Sequence, residues 1–279
     1  MTATTPRAAT SQPRGLPPAP SSLALTRRAV DFWRVQFRRT WRGTWASSIL
    51  APLGFLVAMG LGLGSIVDGG EQSATLGGVD YLAFIAPGLL AGSAMQQANF
   101  ESSYPVLGAI KWARQYFAQL ATPLRVRDVL AGHLLWVAVR LTISAAVFLV
   151  IMGLFGTLQS WWAVLCLPTA VLTGMAFAPG TFGYAATLET DSGFALLFRF
   201  VITPMFLFSG TFFPISQLPG WLEAVAYLTP LWHGVELCRD FSLGTVSWGA
   251  TVGHVAYLSL WVAGGFAFAL RTFRQRLVT

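Results

Sequence analysis

Charge is what this chain has least of. Only 10% of its 279 residues are Asp, Glu, Lys or Arg, against roughly 25% in an ordinary soluble domain. Hydrophobic residues make up 54%, and the mean hydropathy is +0.60. That balance excludes a water-soluble globular domain and leaves an integral membrane protein. Lysine occurs once, as Lys111 in GAIKW, so the glycine-rich, lysine-bearing loop that cradles nucleotide phosphates has no candidate, and no ATPase activity is expected of this chain. HExxH, cysteine clusters and paired-carboxylate motifs are also missing, and no bound cofactor or metal is expected. Two cysteines, Cys166 and Cys238, are too few for a disulfide framework and read as packing residues. The net charge of +7 would suit nucleic acid in a soluble protein, but its distribution has another explanation, and no nucleic-acid partner is expected.

What the chain does have is long apolar runs flanked by arginine, with 11 Trp and 21 Phe to anchor at interfaces. This favours a helical bundle over the weak alternation of a membrane barrel. Residues 1–22 are rich in Pro, Ala, Ser and Thr, lack an apolar core, and read as a disordered cytoplasmic tail. Over 23–45 the pattern turns helical, with Ala29, Val30, Trp33, Phe37 and Trp41 on one arc and Arg27, Arg28, Arg34, Arg38, Arg39 and Arg42 opposite. Such a helix lies in the membrane interface, or is simply the charged flank of the first span, and either reading places it on the cytoplasmic surface. Six segments then approach the roughly 20 residues a span requires: 46–67, 81–102, 129–155, 161–188, 194–213 and 250–270. Eight basic residues precede the first span, Lys111, Arg114, Arg125 and Arg127 lie between the second and third, and Arg271, Arg274 and Arg276 follow the last. All fall on one side, which places both termini in the cytoplasm of a multi-pass protein. The acidic loop with Asp68, Glu71 and Asp80 faces out.

Several local features are expensive unless they are used. Ser93, Gln97, Glu101 and Tyr104 share a face of the second span, with Gln96 beside them. Facing lipid they would be costly, so they line a polar path, a subunit interface or an interhelical hydrogen-bonded contact. Gly88 and Gly92 form a GxxxG pair that permits close helix approach. Arg140 lies well inside the third span, roughly 16 Å along it at 1.5 Å per residue, and needs a partner such as Glu101, Glu189 or Asp191. Residues 107–122 read as one short amphipathic cytoplasmic helix, with Ile110, Ala113, Phe117, Leu120 and Ala121 forming its apolar face and Lys111, Arg114 and Gln115 its polar one. It ends at Thr122-Pro123. Pattern alone leaves a lipid surface and a partner groove both open. The segment 214–241 contains two short helical stretches separated by Thr229-Pro230, and favours a re-entrant extracellular hairpin between spans five and six over a plain loop. His254 in the last span raises an intramembrane serine hydrolase using Ser209, although LFSG lacks the first glycine of a GxSG turn.

The passages YLAFIAPGLLAGSAMQQANFESSY, LATPLRVRDVLAGHLLW, SWWAVLCLP and ITPMFLFSGTFFPISQLPGWLEAVAYLTPLWHGVELCR carry a resemblance. In order and spacing they resemble the type-2 family of ABC exporter permeases, most closely the branch with the nodulation lipo-chitooligosaccharide and daunorubicin-resistance (multidrug) permeases. The resemblance implies an all-α membrane protein of six transmembrane helices spanning 46–279, preceded by the interface helix. It implies a dimer, more naturally of identical copies, in the plasma (inner) membrane, with two copies of a separate ATPase carrying ATP and Mg. It makes 107–122 the coupling helix, docked on the ATPase through Ile110, Lys111, Ala113, Arg114, Phe117 and Leu120. It places Ser93, Gln96, Gln97 and Phe100 with Met205, Phe206, Ser209 and Phe212 along the pathway of an exported amphiphile. Glu101 and Arg140 become a gating or structural ion pair, and Pro214, Trp221, His233 and Glu236 an outer gate. The alternatives to an exporter subunit are the hydrolase with Ser209 and His254, and a non-transporting partner of another permease.

Overall fold

The computed structural model describes residue 26 and residues 28–35, 53–58 and 80–278. The tail at 1–22, the acidic loop around Asp68 and Glu71, and most of the interface helix and first span lie outside the described residues. Within them every regular element is helical. In chain order these are α1 (Tyr81–Ser102), α2 (Tyr104–Lys111), α3 (Gln115–Leu120), α4 (Val126–Leu154), α5 (Cys166–Thr187), α6 (Ser192–Leu197), α7 (Thr203–Phe208), α8 (Gly220–Tyr227), α9 (Pro230–Leu243) and α10 (Trp248–Leu277). Residues 28–35 are helical ahead of them.

Among the described residues, three stretches combine the length and apolarity needed to cross a membrane: α4, α5 with its leading 3-10 turn (Trp161–Thr187), and α10. They correspond to the third, fourth and sixth expected spans. α1 is a continuous helix of 22 residues over the expected second span. The expected fifth span is broken: α6 passes through a π-helical turn at Phe198–Ile202 into α7, which stops at Phe208. The helix therefore ends five residues before the expected Phe213. Gly210 explains the stop, because its φ of +79° is a left-handed conformation that glycine adopts without penalty and that ends a helix.

α5 is the central element, packed against α10, α1, α4 and α9. Its start is ordered by Ser160, whose hydroxyl accepts from the Trp162 amide at 3.2 Å, and by a cluster in which Trp162 meets Trp161 and Trp248. Tryptophans at the same end of α5 and α10 are what an interfacial belt supplies. Cys166 Sγ donates to the Cys238 carbonyl at 3.2 Å, so both buried thiols act as small packing groups between α5 and α9. The Gly88 and Gly92 pair also has a function: a side chain at Gly88 would sit 2.9 Å from the Thr211 carbonyl, and one at Gly92 would displace the Phe206 ring. Backbone contact of this kind is how small residues hold membrane helices together.

Candidate functional site

On α1, Gln96 and Phe100 face outward, Phe100 at 59% exposure, with Ser93 and Gln97 half-buried beside them. The rest of that stretch, including Ala94, Met95, Ala98 and Asn99, is buried. Ser93 returns its hydroxyl to the Leu90 carbonyl at 2.9 Å, so the stripe offers two carboxamides and a phenyl ring. Glu101, one turn beyond Gln97, does not join it. Glu101 turns inward to Arg140 on α4, whose Nη1 lies 2.8 Å from both carboxylate oxygens. Two charges in a poorly hydrated contact are tolerable only when they meet. Tyr104, expected on the same face, tilts against Phe194 with ring centroids 4.9 Å apart.

Across from the stripe, Phe206 lies over Gly92 and edge-on to Phe212, with ring centroids 5.2 Å apart. Phe55, from the described part of the first span, tilts against Phe212 at 6.2 Å. Ser209 departs from the expectation. It is buried, and its hydroxyl bonds Thr229 Oγ1 at 2.9 Å, which fastens the end of α7 to the turn between α8 and α9. It lines no open surface.

The segment expected as a hairpin folds as two helices, α8 and α9, with Thr229 capping α9 by accepting from the Trp232 amide at 3.3 Å. Arg239 dominates this end, and pattern reading missed it as a site residue. Buried at 8% exposure, it donates to Glu236 and to the Gly210 carbonyl, each at 2.6 Å, and to the Phe84 carbonyl at 3.4 Å. Its guanidinium also lies 4.0 Å from the Phe84 ring centroid. One side chain thus ties α9 to α1 and to the turn after α7. The available signal was Arg239 itself, a cation among Leu237, Cys238 and Phe241 with Glu236 three residues before it. His233 Nδ1 meets His254 Nδ1 at 2.6 Å, and its ring stacks on Tyr257 at 4.0 Å. Trp221 is exposed and Pro214 half-buried.

At the end of the bundle expected to be cytoplasmic, the single helix expected over 107–122 is two. α2 ends at Lys111, Arg114 takes a left-handed φ of 48°, and α3 begins at Gln115. The break resets the helical phase and redistributes the expected apolar face. Ile110 is buried and Leu120 half-buried, whereas Ala113, Phe117 and Ala121 are exposed. Tyr116 takes the inward position: fully buried, it shares a hydrogen bond with His133 Nδ1 at 2.7 Å and packs on Phe273 of α10 at 5.4 Å. Burial holds its hydroxyl protonated, well above the ordinary tyrosine range. Trp33 of the 28–35 helix stacks on the same His133 ring at 3.6 Å. Lys111 donates to the Glu189 carbonyl, and Arg276 pairs with the Glu189 carboxylate. That hydrogen bond lowers the Glu189 pKa below the usual carboxylate value. Trp112 at 71% and Phe117 at 40% exposure are left projecting beside Arg114.

Residues 29–242 match the ABC-2 type transporter family. Nodulation protein J of Rhizobium leguminosarum bv. trifolii is 33% identical over 254 residues, covering 88% of this chain and 94% of the relative. Nodulation protein J of Rhizobium meliloti is 31% identical, covering 89% and 94%. The inner membrane transport permease YadH of Escherichia coli is 23% identical, covering 77% and 82%. A match over most of the chain, on a helical frame with membrane-length apolar helices, places this protein in the ABC-2 type transporter family as a membrane-embedded permease.

Proposed function

We propose that this chain is the permease subunit of an ATP-driven exporter, working as a dimer with two copies of a separate ABC ATPase and moving an amphiphile out of the cytoplasm. The observation that carries the reading is the outward stripe of Ser93, Gln96, Gln97 and Phe100 on a helix whose other residues, Leu82 apart, are buried. Amides beside an aromatic ring suit a cargo with a polar and an apolar part, and a second copy facing the stripe would enclose it. The name of the Escherichia coli relative supports the inner membrane, and the mixed stripe suits a lipid-linked oligosaccharide cargo as well as a drug-like one. ATP binding would draw the motors together, and the projecting Trp112, Arg114 and Phe117 would pass that motion to the permease, favouring one of two states. The α8–α9 pair would cap the pathway on the outer side.

The hydrolase alternative gains nothing from the geometry, since the Ser209 hydroxyl bonds Thr229 and His254 pairs with His233. The exporter reading is tested by purifying the chain with its ATPase in lipid nanodiscs and measuring ATP turnover against a panel of amphiphiles. Gln97→Leu should change the amphiphile response while leaving basal turnover and elution behaviour intact. An unchanged response across the panel would remove the stripe from the pathway.

A further inference from the structure

A cleft of about 560 Å³ opens between α5, the α6–α7 segment and α10, within the range of roughly 300–1,000 Å³ typical of small-molecule sites. Leu260 and Trp261 stand at its mouth, 70% and 45% exposed. Its lining is apolar except for Asn99 and Thr181. These two are already engaged: the Thr181 hydroxyl donates to Asn99 Oδ1 at 2.6 Å, and Asn99 Nδ2 donates to the Met95 carbonyl at 2.9 Å. A sugar or charged headgroup would therefore find little to bind inside. Apolar cavities of this kind stay dry and take up apolar guests.

Two independent features indicate that the space is kept open. Gly180 and Gly264 both line it, and a side chain at either would begin in open space, with nothing among the described residues within 4 Å. Glycine weakens a helix relative to alanine, and neither position has a neighbour that demands it. Gly265, next in sequence, differs, because a side chain there would meet the Gly180 backbone nitrogen at 3.0 Å. What glycine preserves at 180 and 264 is cleft volume. The second feature is the π-helical turn Phe198–Ile202, which brings Val201 and Ile202 to the opposite wall. π turns are rare and concentrate at functional sites. Met205, expected along the export pathway, also lies on this cleft.

We infer that the cleft between α5, the α6–α7 segment and α10 binds a single alkyl chain of a membrane amphiphile that enters sideways from the bilayer. The chain comes either from a bilayer phospholipid or from a single-chain amphiphile such as a lipid-tailed cargo. The inference requires only a membrane setting and does not depend on the exporter reading.

The full chain in nanodiscs containing phosphatidylcholine with a diazirine at the acyl terminus, irradiated and mapped by mass spectrometry, tests it. Adducts should concentrate on Val201–Met205 and Leu260–Trp261. Gly180→Leu and Gly264→Leu, each made separately, should cut them about fivefold or more by filling the space. Gly253→Leu, on the same helix at a position equally open but outside the cleft, should leave them unchanged. A diazirine-bearing alkyl glycoside added to the same discs identifies the source: stronger cleft labelling by the glycoside assigns a single-chain amphiphile, and stronger labelling by the phospholipid assigns bilayer lipid. Adducts from both probes spread evenly along the lipid-facing side of α10, or unaffected by both filling variants, would overturn the inference.

Discussion

Two arginines show how far a single residue can be understood in advance. Arg140 interrupts a long apolar run, and a charge there has to find a partner, so Glu101 could be named as a candidate before any coordinates. Arg239 gave a weaker signal, because α9 is short and amphipathic and a cation on it, even among Leu237, Cys238 and Phe241, could equally have met water. Only the fold brings the Gly210 and Phe84 carbonyls to it. Removing Arg239 leaves Glu236 and two carbonyls without their donor, and breaking a buried charged contact typically costs about 3–5 kcal/mol. Arg239→Met should therefore sharply lower the thermal midpoint of the solubilised protein, followed by tryptophan fluorescence. Arg239→Lys should recover only part of it, since an ammonium lacks the planar fork that reaches several acceptors. For Glu101 and Arg140, Glu101→Gln and Arg140→Gln should each destabilise, and the double variant should lose less than the two losses combined. Additive losses in that thermal-melt cycle would mean that the pair has no energetic coupling.

Helices were legible where apolar length was the signal, as for α4, α5 and α10, and less so where backbone conformation intervened. The pattern over 107–122 reads as one helix because its apolar residues keep a helical spacing. Arg114 breaks that register by a single left-handed residue, which nothing in its side chain announces. The consequence is local: Tyr116 turns in toward His133, and Phe117 turns out. With Ile110 buried, a charge at Phe117 tests docking more cleanly than one at Ile110. Phe117→Asp should abolish co-purification with the ATPase while the permease alone still elutes as a single species. Normal complex recovery would remove α3 from the docking surface. The fifth span failed for a related reason: Gly210 and Pro214 were visible in FLFSGTFFP, but the contacts that decide where the helix stops, Arg239 on Gly210 and Thr229 on Ser209, come from residues 20 to 29 positions away.

At the scale of the whole molecule, the described chain buries most of α1 and leaves one mixed stripe uncovered, which is the face a twofold partner would cover. Two copies related by a twofold axis bring like residues together at their interface. Gln96→Cys should accordingly form an intermolecular disulfide on mild oxidation in the membrane, seen as a band at twice the 30.1 kDa chain mass on non-reducing gels. A monomer band alone would argue against this face as the contact. The cleft beyond α5 escaped pattern reading altogether, because its glycines are far apart in sequence and meet only across helices. One earlier detail makes such experiments direct. Cys166 and Cys238 are wholly enclosed between α5 and α9, so the unmodified protein presents no thiol to aqueous reagents. Every maleimide or disulfide signal from an introduced cysteine then reports on its own position, and accessibility can be surveyed residue by residue without first rebuilding the chain.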